Sequence, residues 1–197
     1  ALPICLGIAN IEKYSRMFGI GQKTGIDLAG ELSGSIPSIA WKAKKFPNDP
    51  WRLGDTYNTA IGQYGYQVTP LEMVRAMAGI ASKGTLVTPT LIKKDPGQKV
   101  ATTPLPFTQE EYRVVHEGLL LDVTDGTARA LLMDGLSSAA KTGTAQIKNN
   151  TRVNSWILGF FPYEKPRFAF VVLMEDGPKI TTGAVHAFRP VLDRKST

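Results

Sequence analysis

Lys141-Thr142-Gly143-Thr144-Ala145-Gln146 sets an ammonium, two hydroxyls and a glycine in one short run. The hydrophobic spacing around it is that of strands: Lys141–Ile147, Ser155–Phe161 and Phe168–Glu175 alternate or run apolar, and the last is rich in the β-branched residues of a buried strand. Tyr163–Pro166 is a short connection, which predicts a hairpin between the second and third strands. Alternate side chains on a strand share a face, so Lys141 and Gly143 point one way and Thr142 and Thr144 the other. Gly143 admits close approach of another backbone. Two hydroxyls and an ammonium suit a carboxylate, and free strand N–H groups suit a peptide or an oxyanion. The same six residues also suit an exposed strand carrying a solvated lysine. On their own they do not choose between the two.

Upstream the pattern is helical. Thr69-Pro70-Leu71-Glu72 is a strong start, with Thr69 as N-cap, Pro70 in the first helical position and Glu72 closing a capping box. Met73, Met77, Ile80 and Ala81 then share one face, which marks core packing, and Gly84 ends the helix. Thr108 and Glu111 form a second capping box opening a helix to about Leu121. Asn10 is placed to cap a helix over Ile11–Phe18 that Gly19 stops. Gly21–Pro50 reads mostly as loop, Gly54–Val68 shows no clean period, and Pro89–Pro106 reads as a surface connection with short extended pieces. Gly126-Thr127-Ala128 leads into a short helical stretch, Arg129–Met133, ended by Gly135. A closing helix is expected over Thr182–Leu192, limited by Pro190. Helices first and an antiparallel β-meander after them give an α+β domain.

Composition narrows the function. The chain has 197 residues, 43% hydrophobic and 20% charged, as a folded domain does. The net charge is +6, yet no Lys/Arg cluster is interleaved with aromatics, so nucleic acid is not an expected partner. No apolar run reaches the roughly 18 residues of a membrane span. One cysteine, Cys5, and two histidines, His116 and His186, make a structural metal site unexpected, and no cofactor is implied.

K-T-G is one of three signatures shared by penicillin-binding proteins and serine β-lactamases, beside S-x-x-K and S-x-N. KTGTAQ resembles the penicillin-binding form. So do Gly21–Leu28, Gly54-Asp55-Thr56, Ala60-Ile61-Gly62-Gln63, Val68-Thr69-Pro70-Leu71, Gly126-Thr127-Ala128 and Ser155–Pro162. The resemblance covers nearly the whole chain, and within the family it is to the monofunctional class B enzymes of the elongation type. It implies a transpeptidase fold like that of the penicillin-binding proteins and serine β-lactamases. It also implies D,D-transpeptidation of peptidoglycan by serine acyl transfer. Lys141 would supply positive potential. The hydroxyls of Thr142 and Thr144 would hold the terminal carboxylate of a D-Ala-D-Ala stem peptide or of a β-lactam. The N–H of Thr144 would donate to the oxyanion, making Lys141 and Thr144 catalytic. Thr142, Gly143, Thr144 and Gln146 would line the substrate. Implied partners are peptidoglycan stem peptides, β-lactam antibiotics and other cell-wall elongation proteins. The implied location is the extracytoplasmic side of the bacterial inner membrane, with membrane contact only through an N-terminal anchor outside these residues.

The chain departs from the family in two motifs. Ser138-Ala139-Ala140-Lys141 spells S-x-x-K, but its lysine is that of KTG and the segment feeds a strand. Residues three apart would then be about 10 Å apart rather than on one helical face. No S-x-N occurs. Both family motifs precede the segment that Ala1 begins, so residues 1–197 are expected to be the C-terminal part of one transpeptidase domain, truncated or processed from a parent. A β-lactam-hydrolysing or β-lactam-sensing relative and a non-catalytic binding module are the alternatives. Asp55 and Asn58 are expected in local turn bonding, His116 as a surface or core residue, and Trp156 in the core.

Overall fold

The computed structural model describes residues 2–93, 95, 97–179 and 183–193. Three strands, β3 (Ala139–Ile147), β4 (Arg152–Phe161) and β5 (Phe168–Pro178), form an antiparallel sheet in the order β3-β4-β5. Lys141 pairs with Leu158, Gly143 with Trp156 and Thr144 with Ser155, without a break in register. The β4–β5 register shifts between Val153 and Ser155. The strand expectations hold, each extended by a few residues.

Helices cover both faces. Ile157, Phe161 and Phe170 pack against Ala184, Val185, Phe188 and Leu192 of α6 (Ala184–Asp193). Ala139 and Phe160 pack on the other side against Met77 and Ala81 of α4 (Pro70–Ala81) and Leu119 of α5 (Gln109–Thr124). The result is a three-layer α+β arrangement, with burial of apolar faces holding the layers together. Thr182, the expected start of the last helix, lies outside the described residues. Pro190 sits inside α6 rather than ending it.

Both capping boxes form as expected. Glu72 does more than cap. Its carboxylate accepts the N–H of Thr69 at 2.7 Å and also those of Gly34 at 2.8 Å and Gly21 at 3.1 Å, tying the Gly21–Gly34 loop to α4. Gly34 must be glycine, because a Cβ there would lie 2.1 Å from the carbonyl oxygen of Gln67. β1 (Thr85–Val87) and β2 (Thr102–Pro104) pair as a small ribbon across the expected surface connection.

Four expectations need correction. Helix α1 runs over Leu2–Met17, bent at Gly7 (φ 71°), so Asn10 lies within it and donates to the carbonyl of Leu6 instead of capping. The expected loop contains α2 (Ile39–Lys45), capped by Ser38, whose hydroxyl accepts the N–H of Trp41. The segment without a period contains α3 (Leu53–Ala60). The stretch after Ala128 is one 3₁₀ turn, Arg129–Leu131, shorter than expected.

The hidden helices share a cause. Lys42, only 1% exposed, occupies the inward face of α2, where an apolar residue would have revealed the period. Its ammonium lies 2.6 Å from Asp55 and 3.0 Å from Asp49, and donates to the carbonyl of Pro50. Asp55 also accepts the N–H of Arg52, so the expected local bond exists beside a buried ion pair.

Candidate functional site

β3 is an edge of its sheet, paired only with β4 among the described residues. Backbone N–H groups alternate between the two edges of a strand. The N–H of Thr142 points away from β4, to the carboxylate of Asp122 at 3.3 Å. The N–H of Thr144, two residues on, therefore faces the same free edge. A strand edge with unpaired N–H groups is a template for an extended peptide.

The register divides the side chains as alternation requires. Gly143 and Ala145 lie on the face of Trp156 and Asn154, and Thr142 and Thr144 on that of Ile157 and Ser155. The first face looks into a groove of about 970 Å³, walled by Trp156, Leu158 and Leu173 on the sheet and by Ile61–Val68 and Met73 opposite. Thr144 and Gln146 reach the groove as well. Trp156, expected in the core, is half-buried and lines this groove. A Cβ at Gly143 would meet Trp156 at 3.6 Å, an ordinary contact, so packing within the chain does not itself demand glycine there.

Lys141 is exposed, and its ammonium folds over the strand edge. It donates to the carbonyl of Thr142 at 2.9 Å and lies 3.4 Å from the Thr142 hydroxyl and 3.6 Å from Asp122. Asp122 is the residue that motif reading missed. It stands near the end of α5 and accepts both the N–H and the hydroxyl of Thr127 at 2.9 Å. Thr127 in turn contacts the hydroxyl of Thr142. Gly126 makes the turn possible, because a Cβ there would lie 2.4 Å from an Asp122 carboxylate oxygen and 2.6 Å from its Cα. Gly126-Thr127-Ala128 was legible as a motif; its anchor, on the preceding helix, was not.

Ser138 precedes β3 rather than opening a helix, and its hydroxyl is 2% exposed with no hydrogen-bond partner among the described residues. A nucleophile needs a base within reach, and none stands beside it. His116 is a core residue, its Nε2 2.8 Å from the carbonyl of Ile80 and its ring 4.7 Å from that of Phe160. Among the described residues no cluster of His, Cys, Asp or Glu is arranged to hold a metal ion, and no helix is long and apolar enough to cross a membrane.

The family model of the penicillin binding protein transpeptidase domain matches residues 5–193. The peptidoglycan D,D-transpeptidase MrdA of Acinetobacter baumannii is 31% identical over 95% of this chain and 31% of its own length. The penicillin-binding protein PBP2 of Helicobacter pylori, solved in complex with MreC, superimposes with a TM-score of 0.81 at 32% identity, over 98% of this chain and 36% of that one. PBP2 of Pseudomonas aeruginosa, solved in complex with WCK 5153, gives 0.82 at 31% identity, over 99% and 45%. The chain thus spans about a third of the curated relative it matches, with 31% of MrdA covered.

Proposed function

The chain belongs to the penicillin binding protein transpeptidase domain family, and from that premise we propose that it supplies the KTG-strand part of a peptidoglycan D,D-transpeptidase. In this reading residues 1–197 are the C-terminal part of a single transpeptidase domain. The serine nucleophile and its lysine belong to the same domain outside these residues. The substrate is a stem peptide ending in D-Ala-D-Ala, and a β-lactam is its mimic.

The observation that carries the reading is the free edge of β3, where the N–H of Thr142 points away from β4, that of Thr144 follows it by alternation, and the ammonium of Lys141 lies 2.9 Å from the carbonyl of Thr142. A stem peptide adds to that edge as an extended strand. The serine oxygen attacks the carbonyl of the penultimate D-Ala, the C–N bond breaks, and the terminal D-Ala leaves with a proton. A second amine then takes the acyl group. The N–H of Thr144 meets the oxyanion that develops in each step. Lys141 sets a positive potential for the terminal carboxylate, and the apolar wall at Trp156 and Leu158 excludes water from the acyl-enzyme. Gln146 lies further along the same strand, beside the body of the peptide.

The elongation-type assignment rests on the MrdA and PBP2 relatives. Because the Helicobacter pylori PBP2 structure is a complex with MreC, a partner of that kind is proposed for the whole protein. Activity on the outer side of the cytoplasmic membrane follows from where peptidoglycan is cross-linked.

Replacing Thr144 by valine in the complete protein tests the reading. Loss of a charge-assisted hydrogen bond costs about 1.5–3 kcal/mol, so the rate of acylation by a penicillin falls roughly 10- to 150-fold. An unchanged rate in a folded variant removes the Thr144 hydroxyl from the carboxylate site, since valine keeps the N–H and lacks only that hydroxyl.

A further inference from the structure

The groove beside β3 has two walls. One is the sheet face at Trp156, and the other is the loop of residues 61–66 that follows α3. Both ends of that loop are tied. The N–H groups of Gly62 and Gln63 donate to the carbonyls of Thr59 and Asn58 at 3.0 and 2.9 Å, and the Tyr66 hydroxyl lies 2.6 Å from that of Ser15. Between the ends, Tyr64 takes a left-handed conformation, φ 71°, which a bulky residue keeps only where its surroundings fix it. Here they form a socket. The Tyr64 ring meets Trp41 and Trp51 edge-on, at centroid distances of 5.8 and 5.9 Å, and the Lys42 ammonium lies 5.7 Å from its centroid. The next residue, Gly65, is pressed on Trp41, where a Cβ would lie 2.7 Å from the indole.

Lys42 is the centre of the socket. An ammonium has three donors, and Lys42 spends them on Asp55 at 2.6 Å, Asp49 at 3.0 Å and the carbonyl of Pro50 at 3.0 Å. Burial opposes charge on Lys42 and Asp55, yet their mutual hydrogen bond, aided by the Tyr64 side chain, outweighs it and keeps both charged. The partners come from the turn after α2, from the first turn of α3 and from the groove loop. A buried ion pair adds little net stability over apolar groups of the same volume. Direction is what apolar groups cannot supply, and directed bonds set where α3 and Tyr64 stand relative to α2. We infer that Lys42 is a positioning residue for acyl transfer: through Asp55 and Tyr64 it fixes the 61–66 loop, and with it the width of the groove opposite Gly143 and Thr144. Lys42 is only 1% exposed and acts on the groove solely through these neighbours. The proposal rests on the transpeptidase reading of β3 and concerns the opposite wall, where a misplacement of about 1 Å is costly in rate.

The test titrates the complete protein and its variants with a penicillin. It reads both the fraction of molecules acylated and the first-order rate constant of acylation at saturation. In Lys42→Met the rate constant per competent molecule falls roughly 10- to 100-fold. A purely structural role lowers the acylated fraction and leaves the rate constant unchanged, and that result overturns the proposal. Since Lys42→Met strands Asp55, a second variant separates stability from position. Lys42→Met combined with Asp55→Asn removes both charges, while the asparagine oxygen still accepts the N–H of Arg52. Its urea midpoint returns toward the wild-type value, and its rate constant stays low. Tyr64→Leu, which empties the socket from the loop side, lowers the rate constant by a similar factor. Combined with Lys42→Met it is no slower than the slower single variant, because both act through one contact. A rate constant that recovers together with stability when Asp55→Asn is added overturns the proposal. So does a wild-type rate constant in Tyr64→Leu, and so do additive losses when it is combined with Lys42→Met. Each of these results leaves the transpeptidase reading standing, because the wild-type protein is still acylated. A complete wild-type protein that takes no penicillin ends that reading, and the proposal falls with it.

Discussion

The carboxylate of Glu72, 1% exposed, accepts the backbone N–H of Gly34 at 2.8 Å across 38 residues of sequence. One oxygen of that carboxylate serves Gly21 and Gly34 and the other closes the capping box at Thr69, so a single residue anchors α4, a loop and the groove wall beyond it.

Glu72→Ala therefore exposes more than a weakened cap. A lost cap alone costs about 1 kcal/mol, whereas buried N–H groups left without acceptors cost about 1–3 kcal/mol each. The expected destabilisation is about 2–5 kcal/mol by urea unfolding, with Glu72→Gln intermediate because its amide oxygen still accepts. A loss under about 1 kcal/mol in Glu72→Ala would mean that the Gly21 and Gly34 contacts contribute nothing.

Acid should loosen the region around α2 and α3. Burial raises the Asp55 carboxyl, but the hydrogen bonds from Lys42 and from the N–H of Arg52 outweigh it and hold the group below its ordinary value. Asp27 is held down by the N–H of Leu91 and the hydroxyl of Thr90. A carboxyl depressed in the folded state stabilises above its unfolded pKa of about 4, and that contribution is lost as pH falls through the folded value. Lys42 is shifted upward, so its share is complete below about pH 10 and is lost only in strong alkali. Stability measured by urea unfolding should fall steadily from pH 5 to pH 2. Asp55→Asn should lower Tm at pH 7 by roughly 5–15 °C and flatten the acid slope. Stability that rises on acidification in this range contradicts the ion-pair account.

Gly126→Ala forces a methyl against the backbone of Asp122, with 2.6 Å to its Cα. Relief requires the turn to move, and overpacking of this kind costs about 1–3 kcal/mol. Since the turn carries Thr127, acylation of the complete protein by a penicillin should slow together with the loss of stability. A variant that is less stable but acylates at the wild-type rate would separate the turn from the site.

The parts of this protein written locally were legible. Thr69 and Thr108 announce their helices through a hydroxyl and a glutamate three residues on, and alternation announces β3, β4 and β5. Helix α2 was not legible because its inward residue is Lys42, whose acceptability depends on Asp49 and Asp55, brought to it only by the fold. Asp122 was silent for a similar reason. It lies 20 residues before the N–H it accepts, on a helix whose pattern says only that one face is buried. KTG could be recognised as a unit, but the contacts of Thr142 with Thr127 and Asp122 depend on which neighbours the fold brings to it, and no spacing encodes that.

The central claim is that these residues hold a strand able to bind and polarise an acyl donor but not the group that attacks it. Intact-mass measurement of the chain by itself after incubation with a reactive penicillin tests this most directly. In the proposed reading the chain supplies a carboxylate clamp and one oxyanion donor, while acylation needs a nucleophile, a base and a second donor as well. The account predicts no covalent adduct on the chain alone and a stoichiometric one on the complete protein, mapped to a serine outside residues 1–197. A stoichiometric adduct on Ser138, or on any other serine of this chain, would contradict it.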